Sequence, residues 1–245
     1  MLPENKINEF VSRLRQAAGA NLRSVLLYGS GAAGTYDPKL SDINLFCLLV
    51  DASWPALQPL APVSEWWSKQ NPRAPLFMSC EELERSTDVF SIELLDIQSA
   101  HRVLFGDDPF LTLSIPMTLH RAQVEYELRE KLILLRHYLL LAAGKEKRIW
   151  DLLLRSVPAF STLFRHALIA AGKPARLARR ESIEKLAQHL GVDASGFIDV
   201  LEVREGKKSS KDFRVNDVAS RYLALVAQVT AEVDRMLELS DPPGR

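Results

Sequence analysis

Apolar residues recur at helical spacing through Ile7, Phe10, Val11 and Leu14, so Asn5 to Ala18 reads as an amphipathic helix with one buried face. The pattern then changes. Val25 to Tyr28 and Ile43 to Val50 are short, nearly continuous apolar runs, as expected of buried strands. Between them lie Gly29, Ser30, Gly31, Ala32, Ala33 and Gly34. These small residues form a turn whose backbone a ligand can approach closely, and the N–H groups of a helical turn starting near Ser30 would suit a phosphate.

Residues 54–70 are punctuated by proline and carry Trp66 and Trp67, which predicts a helix covering a sheet. A strand is expected at Ala74 to Ser79, a short helix at Cys80 to Thr87 and a fourth strand at Phe90 to Leu95, completing a small mixed sheet. Residues 106–118, GDDPFLTLSIPMT, interrupt the periodicity with two prolines and predict a domain boundary. Only helices are expected beyond it. Leu128, Leu132, Leu135 and Leu139 mark one helix that ends at Gly144, and Trp150, Leu153, Val157, Phe164 and Leu168 mark a second that ends at Gly172. Three more are read around Ile183 to Leu190, around Phe197 to Val203, and from Val215 to Met236. The fold class expected is α+β, a mixed β-sheet with helices over 1–115 followed by an all-α helical bundle over 116–240, with 241–245 as a frayed tail.

Composition narrows the functions. At 245 residues, with 47% hydrophobic and 25% charged, the chain can bury a substantial core. Its 31 basic and 31 acidic residues cancel, so no surplus of positive charge advertises a long nucleic acid as partner. The opening residues lack an apolar signal core, and the most apolar later stretch is broken by Arg136 and His137, so neither secretion nor a membrane span is expected. Two cysteines, Cys47 and Cys80, fit a reducing cytoplasm better than a disulfide framework.

Asp42 precedes the second apolar run, and on a strand Asp42 and Asn44 share a face. Gly29 and Ser30 after a strand, then Asp42 with Asn44 at the next strand, resemble the signature of the nucleotidyltransferase superfamily, which includes DNA polymerase beta and the aminoglycoside nucleotidyltransferases. That signature is a strand, Gly-Ser or Gly-Gly, and then Asp-x-Asp or Asp-x-Glu on the following strand. Gly29, Ser30 and Asp42 match it; Asn44 stands in place of the second acid.

The resemblance implies that Gly29 and Ser30 hold the phosphates of a nucleoside triphosphate, most often ATP, and that Asp42, Asn44 and a later acid hold Mg2+. For that acid it implies Glu93, metal ligand or base, with Asp96 as the alternative. On an extended strand these two would point to opposite faces, so only one could join the site. Asn44 offers a neutral carbonyl oxygen instead of a charge, and Mg2+ binding should weaken. The bundle would supply the pocket for a small-molecule or protein acceptor, near Arg121, Glu125, Glu127 or Arg129.

Two functions follow as expectations. One is transfer of a nucleotidyl group, most often AMP, to an acceptor hydroxyl. The other is a catalytically weakened regulatory module that binds a nucleotide or a partner, motivated by Asn44 and by the lack of Arg or Lys among Gly31 to Gly34. The five histidines show no metal-binding spacing and are expected at surface or half-buried positions. Two basic clusters, Arg176, Arg179 and Arg180 with Lys207, Lys208 and Lys211, are read as solvated. The helical half also lacks the Arg and His spacing of ribonuclease HEPN domains.

Overall fold

The computed structural model describes residues 1–38, 41–173 and 179–238, side chains through 236. The expected tail and Arg176 lie outside the described residues. The chain forms two compact units, Met1–Pro116 and Met117–Arg245.

The first unit is built on a four-stranded sheet of order β3-β2-β1-β4, with β1 at Leu22–Tyr28, β2 at Asn44–Leu49, β3 at Leu76–Ser79 and β4 at His101–Gly106. Strand β1 runs antiparallel to both β2 and β4, and β3 lies parallel to β2. The sheet is mixed, as the sequence predicts. Because side chains alternate, each face receives its own core. Val25, Leu27, Leu45, Cys47 and Leu49 face helices α1, Glu4–Ala18, and α3, Ala61–Ser68. There Phe10 of α1 packs on Trp67 of α3 with ring centroids 4.9 Å apart. Residues 54–60 form a one-turn helix α2, Trp54–Leu57, and a 3-10 turn before α3 begins. Prolines occupy the first turn of each of these segments, where no N–H is required.

Leu26, Phe46 and Leu48 face the other way, against Met78, Leu83 of α4 (Cys80–Arg85), Leu94 and Ile97 of α5 (Ser91–Ser99), and Phe110. Ser79 caps α4 with a capping box, its hydroxyl accepting from Glu82 N–H while the Glu82 carboxylate accepts from Ser79 N–H. The proline-rich segment after β4 packs against this same face: Phe110 is buried, and Gln98 donates to the carbonyls of Phe110 and Leu113.

The fourth strand is a correction. Phe90 to Leu95 does not extend; it enters helix α5, and the strand begins at His101. Phe90, Leu94 and Ile97 recur at steps of four and three, a helical period that a short apolar run conceals. Strand β4 lies at the sheet edge with most of its residues partly or fully exposed, so its apolar alternation is weak.

The second unit consists, among the described residues, of α6 (His120–Leu141), α7 (Glu146–Ala170), α8 (Arg179–Leu190), α9 (Ser195–Arg204) and α10 (Val215–Glu238). Phe164, Phe197, Phe160 and Tyr222 form its aromatic centre, where Phe197 stacks on Tyr222 at 4.7 Å. His120 and His166 occupy neither the surface nor the half-buried positions expected. Both are fully buried, with ring centroids 5.1 Å apart, because they fall on the faces that carry Val124 and Leu128 in α6 and Leu163 and Ala167 in α7. No helix among the described residues is long and apolar enough to cross a membrane.

Candidate functional site

Strand β1 ends at Tyr28, and Gly29 turns the chain at φ +71°, a left-handed conformation that disfavours any side chain. Gly29 N–H donates to Ala100 O at 3.0 Å, tying the turn to the end of α5, and residues 29–31 form a 3-10 turn. The N–H groups of Ala32 and Ala33 bond back to Gly29 O, and Thr35 N–H bonds to Ser30 O.

Asn44 opens β2 directly opposite Tyr28. Its amide lies against the turn: a Cβ on Gly29 would sit 3.0 Å from Asn44 Nδ2. Asp42 comes two residues earlier, outside the strand and exposed. Asp37 is exposed, and its backbone carbonyl accepts from Ser41 N–H.

Tyr28 is the hub that the sequence did not reveal. Its phenol shares the sheet face of α5, and Glu93, Asp96 and Arg73 all act on it. Burial pushes the phenol above its ordinary range; the Arg73 guanidinium within hydrogen-bonding reach pulls it down, and the Glu93 and Asp96 carboxylates push it up. Tyr28 is therefore a neutral hydroxyl at neutral pH. On the helix, Glu93 and Asp96 are three apart and so share a face, in contrast to the opposed arrangement expected of a strand. Both carboxylates act on Tyr28, the last residue of β1.

Arg73 lies on a loop anchored to β2. Asn71, 6% exposed, donates to Ile43 O at 3.0 Å and to Arg73 O at 2.7 Å, and its amide oxygen accepts from Ile43 N–H. Trp67 Nε1 also donates to Arg73 O, at 3.1 Å. Ile43 separates Asp42 from Asn44, so Asn71 ties the Arg73 loop to the start of β2. An Asn-Pro pair signals a turn in sequence, but nothing there shows that the turn reaches this strand.

No group of three His, Cys, Asp or Glu that could hold a metal ion occurs among the described residues. Magnesium arriving on a triphosphate needs only one or two protein oxygens besides the phosphates, and Asp42 with the Asn44 carbonyl supplies that number.

His101 opens β4 opposite Tyr28. Its ring nitrogens meet Ile97 O at 2.8 Å and the Asp108 carboxylate at 2.9 Å, joining the end of α5 to the segment after β4.

The other charged candidates are committed elsewhere. Arg129 pairs with Glu125 and Asp234, Lys131 with Glu127, and Arg121 donates to Met236 O. Arg180 approaches Glu184, Glu202 and Glu205, while Lys207 pairs with Glu205 and Lys208 with Glu202. These are networks within the bundle.

No known family's sequence profile matches the chain, and no curated protein matches it in sequence. Solved structures do match in fold. Among them is spectinomycin adenyltransferase AAD(9) from Enterococcus faecialis, crystallised with ATP and spectinomycin. It is 15% identical, covers 96% of this chain and 99% of its own, and has a TM-score of 0.51. The chain thus shares an α+β fold with this adenyltransferase.

Proposed function

We propose that the protein binds a nucleoside triphosphate, ATP before others, and transfers its nucleotidyl group to a hydroxyl of a small molecule or protein. One observation carries this reading: a left-handed Gly29 turn against the Asn44 amide, two residues after Asp42, with two carboxylates acting on Tyr28 at the end of the same strand, in a fold shared with an adenyltransferase crystallised with ATP. Gly29 and Ser30 hold the phosphates. Asp42 and Asn44 hold Mg2+, which neutralises phosphate charge when bound. Glu93, a further candidate metal ligand, serves as the base.

The acceptor oxygen forms a bond to the α-phosphorus, the bond from that phosphorus to the β-phosphate oxygen breaks, and pyrophosphate leaves with the bonding pair. The acceptor's proton passes to Glu93. In this reading the sheet unit is the nucleotide domain, and the helical unit supplies acceptor or partner contacts.

Asn44 favours a second reading, a regulatory protein that retains the nucleotide and has lost transfer. Incubation with α-labelled ATP and Mg2+ in a cell extract, followed by Asp42→Ala, separates the two. Label transfer that needs Asp42 supports the enzyme; ATP binding without transfer supports the regulatory protein.

A further inference from the structure

The turn that would hold the phosphates brings no cation of its own, since Gly31 to Gly34 contain neither Arg nor Lys. A triphosphate carries more charge than one Mg2+ with a single carboxylate partner neutralises, so an additional cation is required nearby. We propose that Arg73, delivered from the loop before β3, is this cation and contacts the β- and γ-phosphates of the nucleotide. The proposal rests on the nucleotidyl-transfer reading and adds a specificity-determining residue to it.

Four observations carry it. The Arg73 guanidinium lies near enough to the Tyr28 phenol to pull its pKa down, and Tyr28 immediately precedes Gly29 and Ser30. The Arg73 backbone is held by Asn71 and Trp67, and Asn71 is in turn bonded to both backbone groups of Ile43, between Asp42 and Asn44. The backbone of Arg73 is therefore set by buried bonds while the residue as a whole is exposed. Finally, no carboxylate among the described residues forms an ion pair with it, whereas Arg13, Arg85, Arg102, Arg129 and Arg221 all have such partners. An exposed arginine on a fixed loop, with no ion-pair partner among the described residues, is suited to take a phosphate in a forked, charge-assisted contact.

The geometry also separates this role from a structural one. The bonds that hold the loop use the Arg73 carbonyl, so replacing its side chain leaves them intact. The phenol gives the guanidinium a resting contact that a phosphate can replace without breaking an ion pair.

The test is calorimetric titration of ATP, ADP and AMP with Mg2+ into the full chain, Arg73→Ala, Arg73→Lys and Tyr28→Phe. Loss of a charged hydrogen-bonded contact predicts that Arg73→Ala weakens ATP about tenfold or more, ADP less, and AMP not at all. Arg73→Lys should fall between, because it keeps the charge and loses the fork. Tyr28→Phe should leave ATP binding unchanged or slightly tighter, because it removes only the resting contact that the phosphate displaces. If the unaltered protein binds ATP and Arg73→Ala binds it equally well, the role of Arg73 is overturned and the nucleotide site stands. An equal loss for all three nucleotides also overturns it, because the contact would then not be with the terminal phosphates. If the unaltered protein binds none of them, the reading of the site fails and this inference with it.

Discussion

Gly29 and Asn44 approach each other so closely that a Cβ on the glycine would stand 3.0 Å from the asparagine's amide nitrogen. One residue turns the chain after β1 and the other opens β2, so the width of the candidate phosphate site is set by the missing side chain. Gly29→Ala should cost about 1–2 kcal/mol from its left-handed backbone alone and displace the Asn44 amide. Urea unfolding should show the lost stability, and ATP titration a larger loss of affinity than stability alone explains.

Asn44→Asp restores a charge at the start of β2. It should tighten Mg2+-dependent ATP binding while leaving binding in excess chelator unchanged, since only the metal-bound form gains a carboxylate. Identical titrations for the two proteins would show that residue 44 does not meet the metal.

Glu93 and Asp96 share one helical face, which makes their roles separable by experiment. Glu93→Gln should lower nucleotidyl transfer by about 10²- to 10⁴-fold with ATP affinity little changed, the signature of a lost base. Asp96→Asn should have the smaller effect on rate. Single-turnover measurements with labelled ATP distinguish the assignments, and the reverse ranking would move the base to Asp96.

The two cysteines should differ in reactivity. Cys47 is fully buried in β2, and burial pushes its thiol far above the ordinary range, so almost no thiolate forms at neutral pH. Cys80 is only partly buried. Alkylation of the folded protein followed by mass spectrometry should modify Cys80 alone, with Cys47 reacting after unfolding.

Gly196 lies against α10, where an added Cβ would meet Arg221 Cβ at 2.6 Å and Tyr222 N at 2.7 Å. Gly196→Ala should separate α9 from α10 and cost about 1–3 kcal/mol through overpacking. Thermal unfolding checks this, and an unchanged midpoint would mean that the helices yield without loss.

Much of the fold was legible locally because burial imposes a period. The apolar spacing of α1, the two apolar runs around Gly29 and Ser30, and the stripes along α6, α7 and α10 each mark one buried face within a few residues. The failures have a physical cause too. Phe90 to Leu95 is too short for its period to separate helix from strand, and the edge strand β4 buries too little to write a pattern. Local residue types could also nominate Gly29, Ser30, Asp42, Asn44 and Glu93. They could not show that Asp96 shares a face with Glu93, that Tyr28 gathers both acids with Arg73, or that Asn71 ties the Arg73 loop to Ile43. Those relationships join positions far apart in the chain, and only the packing of α5 and the β3 lead-in against the end of β1 and the start of β2 brings them within reach.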